Sequence, residues 1–167
     1  MTKSHSRLYR PGVGAIILNK LGDVFVGKRA GESSEAWQLP QGGGDENDDG
    51  RGALFRGLLE EVGTTNFQVL HESSKWYKYE IPAEIARRLW GGQYVGQRQK
   101  WYLLQFLGHD REINISTDLP EFIDWKWVDF LELEPMIIHF KRNLYKKLRG
   151  EFYPLIQQLF PHKGLPQ

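Results

Sequence analysis

Apolar residues follow two different periods along the chain, and the change of period separates a strand-rich part from a C-terminal helix. Before Pro135, short apolar runs with β-branched and aromatic residues alternate with glycine, proline and polar turns, which is typical of β-strands. Pro40 limits one run to a short or edge strand, because proline has no N–H to donate to a neighbouring strand. The predicted strands are Gly12–Leu18, Val24–Arg29, Trp37–Gln41, Asn66–Glu72, Lys75–Ile81, Lys100–Leu107 and Trp125–Val128, with a short piece at Ile113–Ile115 inside a polar loop.

After Pro135 the apolar residues recur every three or four positions, which indicates an amphipathic helix. We expect Gly150 and Pro154 to bend or interrupt this helix, since a proline inside a helix costs ~3 kcal/mol. Pro82–Leu89 is long enough for one or two further helical turns. The apolar positions that define the C-terminal helix are Phe140, Leu144, Leu148, Phe152, Leu155 and Leu159.

Another helix is predicted within Gly42–Thr64, after a run of glycines and acidic residues. Leu54, Leu58 and Leu59 fall at helical spacing on its apolar side. Gly63 stands where a helix favours a glycine in the left-handed conformation, which ends the helix.

Strands on both sides of a helix, followed by a C-terminal helix, require two helical layers around one sheet. The predicted fold is therefore α/β, an α/β/α sandwich with a mixed β-sheet between the helices. A chain of 167 residues is long enough for one such domain and too short to expect two. We expect the domain to span residues 9–160, with flexible tails at 1–8 and 161–167.

Composition and charge exclude several classes of function but do not identify the function of the protein. The net charge is +1, so any nucleic-acid contact must come from a local basic patch. The absence of cysteine excludes disulfides, thiol catalysis and cysteine-ligated metal sites. The N-terminal residues lack the apolar core of a signal peptide, and no run has membrane-spanning length. We therefore expect a cytoplasmic monomer with no membrane or DNA partner.

The candidate chemistry lies in the same Gly42–Thr64 stretch as the first predicted helix. Glu60 and Glu61 share the last helical turn and face a loop with further acids. Carboxylate oxygens at such a position suit a hard cation such as Mg²⁺. A glutamate pair on a helix is more often simply solvated, so the metal prediction depends on the spacing of the whole stretch. The additional acids are Asp45, Glu46, Asp48 and Asp49.

Aligned without gaps, the stretch resembles the Nudix box, G-x5-E-x7-R-E-U-x-E-E-x-G-U, where U is a bulky aliphatic residue. Three positions depart from the pattern: Asp48 replaces a glutamate, Thr64 replaces an aliphatic residue, and Gly57 replaces a glutamate. In the family the glutamate replaced by Gly57 belongs to the catalytic, metal-binding carboxylate cluster. The matching positions are Gly42, Arg56, Leu58, Glu60, Glu61 and Gly63.

The resemblance extends from about Tyr9 to Phe152 and points to one branch of the family. The ordered motifs are similar to those of bacterial RNA pyrophosphohydrolases and of the related plant-type dinucleoside polyphosphate hydrolases. The former remove pyrophosphate from triphosphorylated RNA 5′ ends, and the latter split molecules such as diadenosine tetraphosphate. The motifs are YRP from Tyr9, WQLPQGG from Trp37, GQRQKW from Gly96, EF from Glu121, WKW from Trp125 and FKR from Phe140.

The resemblance implies a catalytic centre that contains Mg²⁺ or Mn²⁺. It implies metal ligands at Glu60, Glu61, Glu121 and the main-chain carbonyl of Gly42. Arg56 is expected to orient the acidic loop through Asp48. Water attack on a polyphosphate requires a metal that neutralises charge and generates hydroxide.

The resemblance also implies a substrate-binding set around the phosphates and the first nucleotides. Phe140 is equally compatible with stacking on a base, worth ~1–3 kcal/mol, and with the core of the C-terminal helix. Gln97, like Gln41, is a candidate polar residue of the pocket. The predicted substrate-binding residues are Arg10, Lys28, Arg29, Gln41, Phe140 and Lys141.

Three functional hypotheses follow from these residues. The first is a pyrophosphohydrolase that acts on RNA 5′ ends, and the second is a dinucleoside polyphosphate hydrolase. The third is a Nudix-fold protein that binds nucleotides or RNA ends with impaired catalysis, because Gly57 removes a carboxylate. Retention of Glu60, Glu61 and Glu121 favours the enzymatic hypotheses over the third.

Overall fold

The computed structural model describes residues 8–30, 36–44, 50–118 and 120–163. These residues form eight strands and four α-helices. The helices are α1 Gly50–Val62, α2 Ala83–Trp90, α3 Leu133–Met136 and α4 Arg142–Leu159. The strands are β1 Tyr9–Leu18, β2 Val24–Arg29, β3 Trp37–Gln38, β4 Gln41–Gly43, β5 Phe67–Glu72, β6 Tyr77–Glu80, β7 Gly96–Phe106 and β8 Phe122–Val128.

The strands form one mixed sheet, which confirms the predicted sheet type. Its main path runs β3-β2-β1-β7-β5, while β4 pairs with β1, β6 with β7 and β8 with β2. The long central pair, β1 and β7, is parallel over its whole length from Tyr9–Gly96 to Leu18–Gln105. The other pairings are antiparallel.

Alternate residues of the central strands face two separate hydrophobic layers. Along β1, Ile16 and Leu18 pack with α4 residues such as Phe152, whereas Ala15 and Ile17 pack with α1. This alternation follows from the two-residue period of a strand. The α/β/α sandwich is therefore confirmed, with α1 on one face of the sheet and α4 on the other.

Helix α1 differs from its predicted amphipathic pattern at one position. Leu54 and Leu58 are buried, but Leu59 is 55 % exposed. Ala53 and Val62 complete the buried side in its place. The assignment of Leu59 to the apolar side of the helix was therefore wrong.

Helix α4 continues through both Gly150 and Pro154. Of the predicted bend or interruption, the interruption was therefore wrong. A proline ring crowds the main-chain carbonyl four positions earlier, here that of Gly150, and α4 accommodates this crowding without a break. Pro154 itself is exposed, and its missing N–H removes a single hydrogen bond from the solvent side. The buried inner face comprises Leu144, Tyr145, Leu148, Phe152 and Ile156.

Two further expectations needed correction in the connecting segments. Ile113–Ile115 is not a strand, because the Asn114 N–H donates to the Val62 carbonyl (2.8 Å) and both isoleucines pack against the α1 side of the core. Residues 161–163, expected in a flexible tail, form a turn in which Lys163 is paired with Asp23 and Asp129. The remaining residues of the expected tails, 1–7 and 164–167, lie outside the described ranges.

None of the helices in the described ranges is both long enough and apolar enough to cross a membrane.

Candidate active site

An open cavity of about 400 Å³ lies at the end of the sheet, between α1, α2 and the turn that precedes α4. It brings together segments from the whole length of the described chain. Nine of the residues predicted as site residues line it: Arg10, Arg29, Gln41, Gly42, Glu60, Glu61, Glu121, Phe140 and Lys141.

The end of α1 delivers Glu60 and Glu61 to the cavity. The helix ends at Gly63, whose φ of +82° is the left-handed conformation expected there, and whose N–H donates to the Leu58 carbonyl. Strand β4 brings Gly42 next to this turn by pairing with β1. That approach requires Gly12, because a Cβ there would lie 2.7 Å from the Gly42 carbonyl oxygen.

Glu61 is the half-buried acid of the site, and its environment disfavours a negative charge. Burial, the charge of Glu121 and, more weakly, that of Glu60 raise its pKa to about 8. A hydrogen bond from the Gln41 main chain and the nearby Lys141 act in the opposite direction. A bound cation would relieve the repulsion among the three carboxylates.

Lys141 lines the same cavity, with only 4 % of its surface exposed. Its Nζ donates to the Gln38 Oε1 (3.2 Å) and lies 5.6 Å from the centre of the Tyr79 ring. Burial and the Arg29 charge lower the pKa of Lys141 to about 7, although Glu121 and Glu61 favour its charged form. An incoming phosphate would provide the anion that this amine lacks.

Arg29 is a basic residue of the cavity that lies next to one of its carboxylates. Its Nε lies 3.8 Å from Glu121 Oε1. A main-chain hydrogen bond joins the same two segments, because the N–H of Ala30, the residue after Arg29, donates to the Glu121 carbonyl (3.0 Å). Glu121 thus reaches the cavity from the loop before β8, as the resemblance implied.

The donor set fits a divalent ion bound jointly by the protein, water and substrate. Within the described ranges, no three His, Cys, Asp or Glu side chains already converge as a metal cluster. Mg²⁺ commonly keeps several waters and takes one or two carboxylates plus substrate phosphates, so Glu60, Glu61 and Glu121 suffice for such a site. The loop acids Asp45, Glu46, Asp48 and Asp49 lie outside the described residues.

The position of Gly57 has room for the side chain that it lacks. Gly57 and Glu61 line a narrow cleft together with Gln41 and Gly42. A Cβ built on Gly57 meets no atom within 4 Å. Among the residues that the structure describes, none fills the space that the departure from the box leaves next to Glu61.

Lys28 and Arg56 are not among the residues that line the described cavity. The Nζ of Lys28 lies 6.0 Å from the centre of the Trp37 ring, on the outer part of β2. Arg56 is exposed on α1, and its expected partner Asp48 lies outside the described ranges. Their proposed roles remain predictions.

Two polar residues of the cavity, Gln38 and Tyr79, and one apolar wall were not predicted as site features. Gln38 accepts from Lys141, and the buried Tyr79 hydroxyl accepts from Gln41 Nε2 (3.2 Å). Burial raises the pKa of Tyr79 to about 12, so this phenol stays protonated. Gln99 donates to the Gln97 Oε1 (2.8 Å) behind the cavity wall. The apolar wall comprises Ile81, Ile85, Leu89 and Trp90.

The position of Phe140 is compatible with both of its predicted roles, packing in the core and stacking on a base. It is half-buried and packs against the α4 side of the core, and it also lines the cavity next to Lys141. One ring can therefore support the core and present an exposed portion to a ligand.

Comparison with known proteins places this geometry in a family. The NUDIX domain model matches residues 8–148. The chain is 44 % identical over 157 residues to the RNA pyrophosphohydrolase of Rickettsia conorii, covering 93 % of this chain and 98 % of that protein. It is 46 % identical over 155 residues to the RNA pyrophosphohydrolase of Sphingopyxis alaskensis, covering 91 % and 98 %.

Solved structures support the same fold at lower sequence identity. The E. coli dihydroneopterin triphosphate pyrophosphohydrolase superposes with a TM-score of 0.65 at 19 % identity, covering 84 % of this chain and 96 % of that one. A C. elegans Ap4A hydrolase gives a TM-score of 0.60 at 17 % identity, covering 86 % and 98 %. The family match over most of the chain, the fold and the arrangement of Glu60, Glu61 and Glu121 lead to one conclusion: this chain belongs to the Nudix family.

Proposed function

We propose that this Nudix protein removes pyrophosphate from 5′-triphosphorylated RNA and leaves a 5′-monophosphate. The observation that carries the proposal is that one cavity is lined by three carboxylates, Glu60, Glu61 and Glu121, together with the basic side chains of Arg10 and Lys141. A polyphosphate needs both kinds of group, carboxylates for its metal and cations for its oxygens. The relatives at 44–46 % identity that are named RNA pyrophosphohydrolases support the RNA end as substrate.

Within this cavity, one set of residues binds the metal and another set binds the phosphates. Glu60, Glu61, Glu121 and the Gly42 carbonyl would hold Mg²⁺ or Mn²⁺, which neutralises phosphate charge and makes water a stronger nucleophile when bound. Arg10, Arg29 and Lys141 bind phosphate oxygens and fix the reacting end of the RNA. Proximity of this kind lowers the barrier by holding the reactants in the reactive geometry.

The apolar surfaces of the cavity fit the nucleoside part of the substrate. The exposed portion of Phe140 offers a face for a base, and Trp90 lies on the α2 wall of the same cavity. Gln41 and Gln97 supply polar groups between these surfaces. A free inorganic polyphosphate would leave this apolar wall without a partner.

A dinucleoside polyphosphate hydrolase is the second candidate. Besides Tyr79, the aromatic residues Trp90 and Phe140 line the cavity, and a substrate with a base at each end could stack on both. An RNA 5′ end and diadenosine tetraphosphate therefore compete for the same surfaces.

The deciding experiment offers both substrates to the purified protein with Mg²⁺ or Mn²⁺ and identifies the products by chromatography. We expect triphosphorylated RNA to yield 5′-monophosphorylated RNA and pyrophosphate. Cleavage of diadenosine tetraphosphate with RNA left intact would instead establish the second candidate. Tight RNA binding without either reaction would identify a binding protein.

A further inference from the structure

A patch of basic and aromatic side chains lies where β6 pairs with the first part of β7. Trp76, just before β6, is 45 % exposed. The Cζ of Arg98 lies 4.6 Å, and the Nζ of Lys100 5.8 Å, from the centre of the Trp76 ring. The Nζ of Lys78 lies 5.2 Å from the centre of the Tyr9 ring. We call this group the Trp76 patch and include the exposed Lys75, which precedes Trp76 and whose Nζ lies 5.2 Å from the centre of the Tyr77 ring.

The Trp76 patch and the cavity lie on opposite faces of the same strands. On β6, Tyr79 lines the cavity while its neighbour Lys78 belongs to the patch. On β7, Gln97 lines the cavity while its neighbour Arg98 belongs to the patch. Because successive side chains of a strand alternate between faces, a chain that leaves the cavity reaches the patch by crossing one sheet edge.

The patch carries an excess of positive charge. Lys75, Lys78, Arg98 and Lys100 are its basic side chains. Within the described ranges, the nearby acids include Glu72, 3.9 Å from Lys100, and Glu80, which accepts from the Tyr9 hydroxyl (3.2 Å). Glu151, which accepts from the N–H of Ser74 (2.8 Å), lies next to the Lys75 end of the patch. The basic side chains outnumber the acidic ones, and the protein as a whole is nearly neutral. This excess is therefore a local feature.

An exposed tryptophan among several cations matches one chemistry in particular. Proteins that bind single-stranded nucleic acid combine basic side chains along the backbone with aromatic rings on which bases stack. Charge complementarity favours a polyanion over a protein segment, and the exposed part of Trp76 offers a stacking surface.

We propose that the Trp76 patch binds the nucleotides of the RNA that lie downstream of the 5′ end held in the cavity. This proposal rests on the proposed function, because it assigns a second contact to the same substrate. Lys75 and Lys78 contact phosphates, Trp76 stacks with a base, and Arg98 supports the ring. The patch therefore increases affinity for long RNA and leaves the chemistry at the 5′ end unchanged.

The test compares a triphosphorylated dinucleotide with a triphosphorylated single strand of about twelve nucleotides, a length within the range of single-strand sites. The variants are Trp76→Ala and the pair Lys75→Ala/Lys78→Ala. The matched control is Lys146→Ala/Lys147→Ala, which removes two positive charges from the exposed face of α4. Thermal unfolding of each variant verifies that its fold is intact.

We expect Trp76→Ala to lower kcat/KM for the long RNA about fivefold or more, which corresponds to ~1 kcal/mol of stacking. The dinucleotide should be cleaved at the parental rate by every variant. The lysine pair should reduce the slope of log affinity against log salt by about 1.4 for the long RNA. Equal losses on both substrates, no loss on the long RNA, or a loss only in the α4 control would each overturn the proposal.

Fluorescence anisotropy with a 5′-monophosphorylated strand of the same length separates this proposal from the proposed function. The strand is a product and cannot be processed further, so the measurement reports binding alone. Weaker binding by Trp76→Ala supports the patch even if the parent fails to cleave triphosphorylated RNA. Unchanged binding refutes the patch even if that cleavage is efficient.

Discussion

Gly57 occupies an interior position of α1 and lines a narrow cleft with Glu61, and we expect two separate costs at this position. A glycine inside a helix costs ~1 kcal/mol relative to alanine. Under the proposed function, the missing carboxylate also weakens metal binding, independently of helix stability. Because a Cβ at this position meets no atom within 4 Å, substitutions can separate the two effects without steric strain.

We predict that Gly57→Ala raises the melting temperature with little change in turnover. Gly57→Glu should also raise turnover by about tenfold or more, or ~1.4 kcal/mol of barrier. Gly52 is the matched control, since it lies in the same helix, is exposed and also has open space around its Cβ. Stability curves and kcat would check this. Equal acceleration by Gly57→Ala and Gly57→Glu would refute the missing-ligand explanation.

Substitution of Glu61 should lower activity without lowering stability. We predict that Glu61→Gln reduces turnover by at least an order of magnitude, because the metal loses a ligand. The metal-free variant should melt at a temperature equal to or above the parent's, since the substitution removes a carboxylate whose charge its neighbours oppose. The exposed Glu132→Gln is the control. Undiminished hydrolysis by Glu61→Gln would exclude Glu61 as a ligand.

At the residue scale, what the sequence can predict depends on the range of the contacts. The spacing of the Nudix-like box predicted Glu60 and Glu61 as site residues, and the separate Glu121-Phe122 motif predicted Glu121; all three line the cavity. The polar role of Gln38 was missed, because its partner Lys141 lies 103 residues away in sequence. The alternating pattern around Tyr79 predicted a strand. The hydrogen bond that its hydroxyl accepts from Gln41 is visible only in the fold.

Among the elements, α4 has the clearest polar anchor. Glu151 accepts hydrogen bonds from Tyr77 Oη (2.6 Å), His71 Nε2 (3.0 Å) and the N–H of Ser74 (2.8 Å). Burial favours the neutral acid, but these hydrogen bonds hold the pKa of Glu151 below its ordinary value. The carboxylate thereby ties α4 to β5, β6 and the turn between them.

We predict that Glu151→Gln lowers the free energy of unfolding at pH 7 by ~1–3 kcal/mol, as expected for hydrogen bonds to a charged group. The depressed pKa means that this stabilisation is complete above the unfolded-state pKa of about 4.3 and is lost as the pH falls through the folded-state value. Denaturant titrations between about pH 5 and pH 3 should therefore show the parent and the variant converging. Tyr77→Phe removes one donor and should give a smaller loss. A difference that is constant over this range would exclude the charged form as the anchor.

The type of most elements was predictable, whereas several element ends were not. The apolar runs Gly12–Leu18 and Lys100–Leu107 predicted the central strands, because strands buried on both faces are apolar at nearly every position. The interruption of α4 was wrongly predicted, because propensity assigns a cost to Pro154 and ignores the burial of Leu148, Phe152 and Ile156. At Ile113–Ile115, apolar spacing was mistaken for a strand where the side chains cover the end of α1.

For the whole molecule, metal binding should be visible as stability. A ligand that binds only the folded state raises the free energy of unfolding by RT ln(1 + [L]/Kd). We predict that Mg²⁺ or Mn²⁺ raises the melting temperature of the parent, and that a chelator reverses the shift. Glu61→Gln should show a smaller shift or none. An identical metal response in both proteins would place the stabilising ion elsewhere.

The parallel pairing of β1 with β7 also determines the order of events during synthesis. The ribosome makes β1 about 90 residues before the strand that completes it in the sheet centre. At 5–20 residues per second, this delay is roughly 4–18 s. During that interval the apolar β1 can pair with β2, its neighbour in sequence, but the sheet centre and the cavity cannot form. The nascent chain therefore exposes one of its most apolar strands for several seconds, which is an opportunity for chaperones and for aggregation.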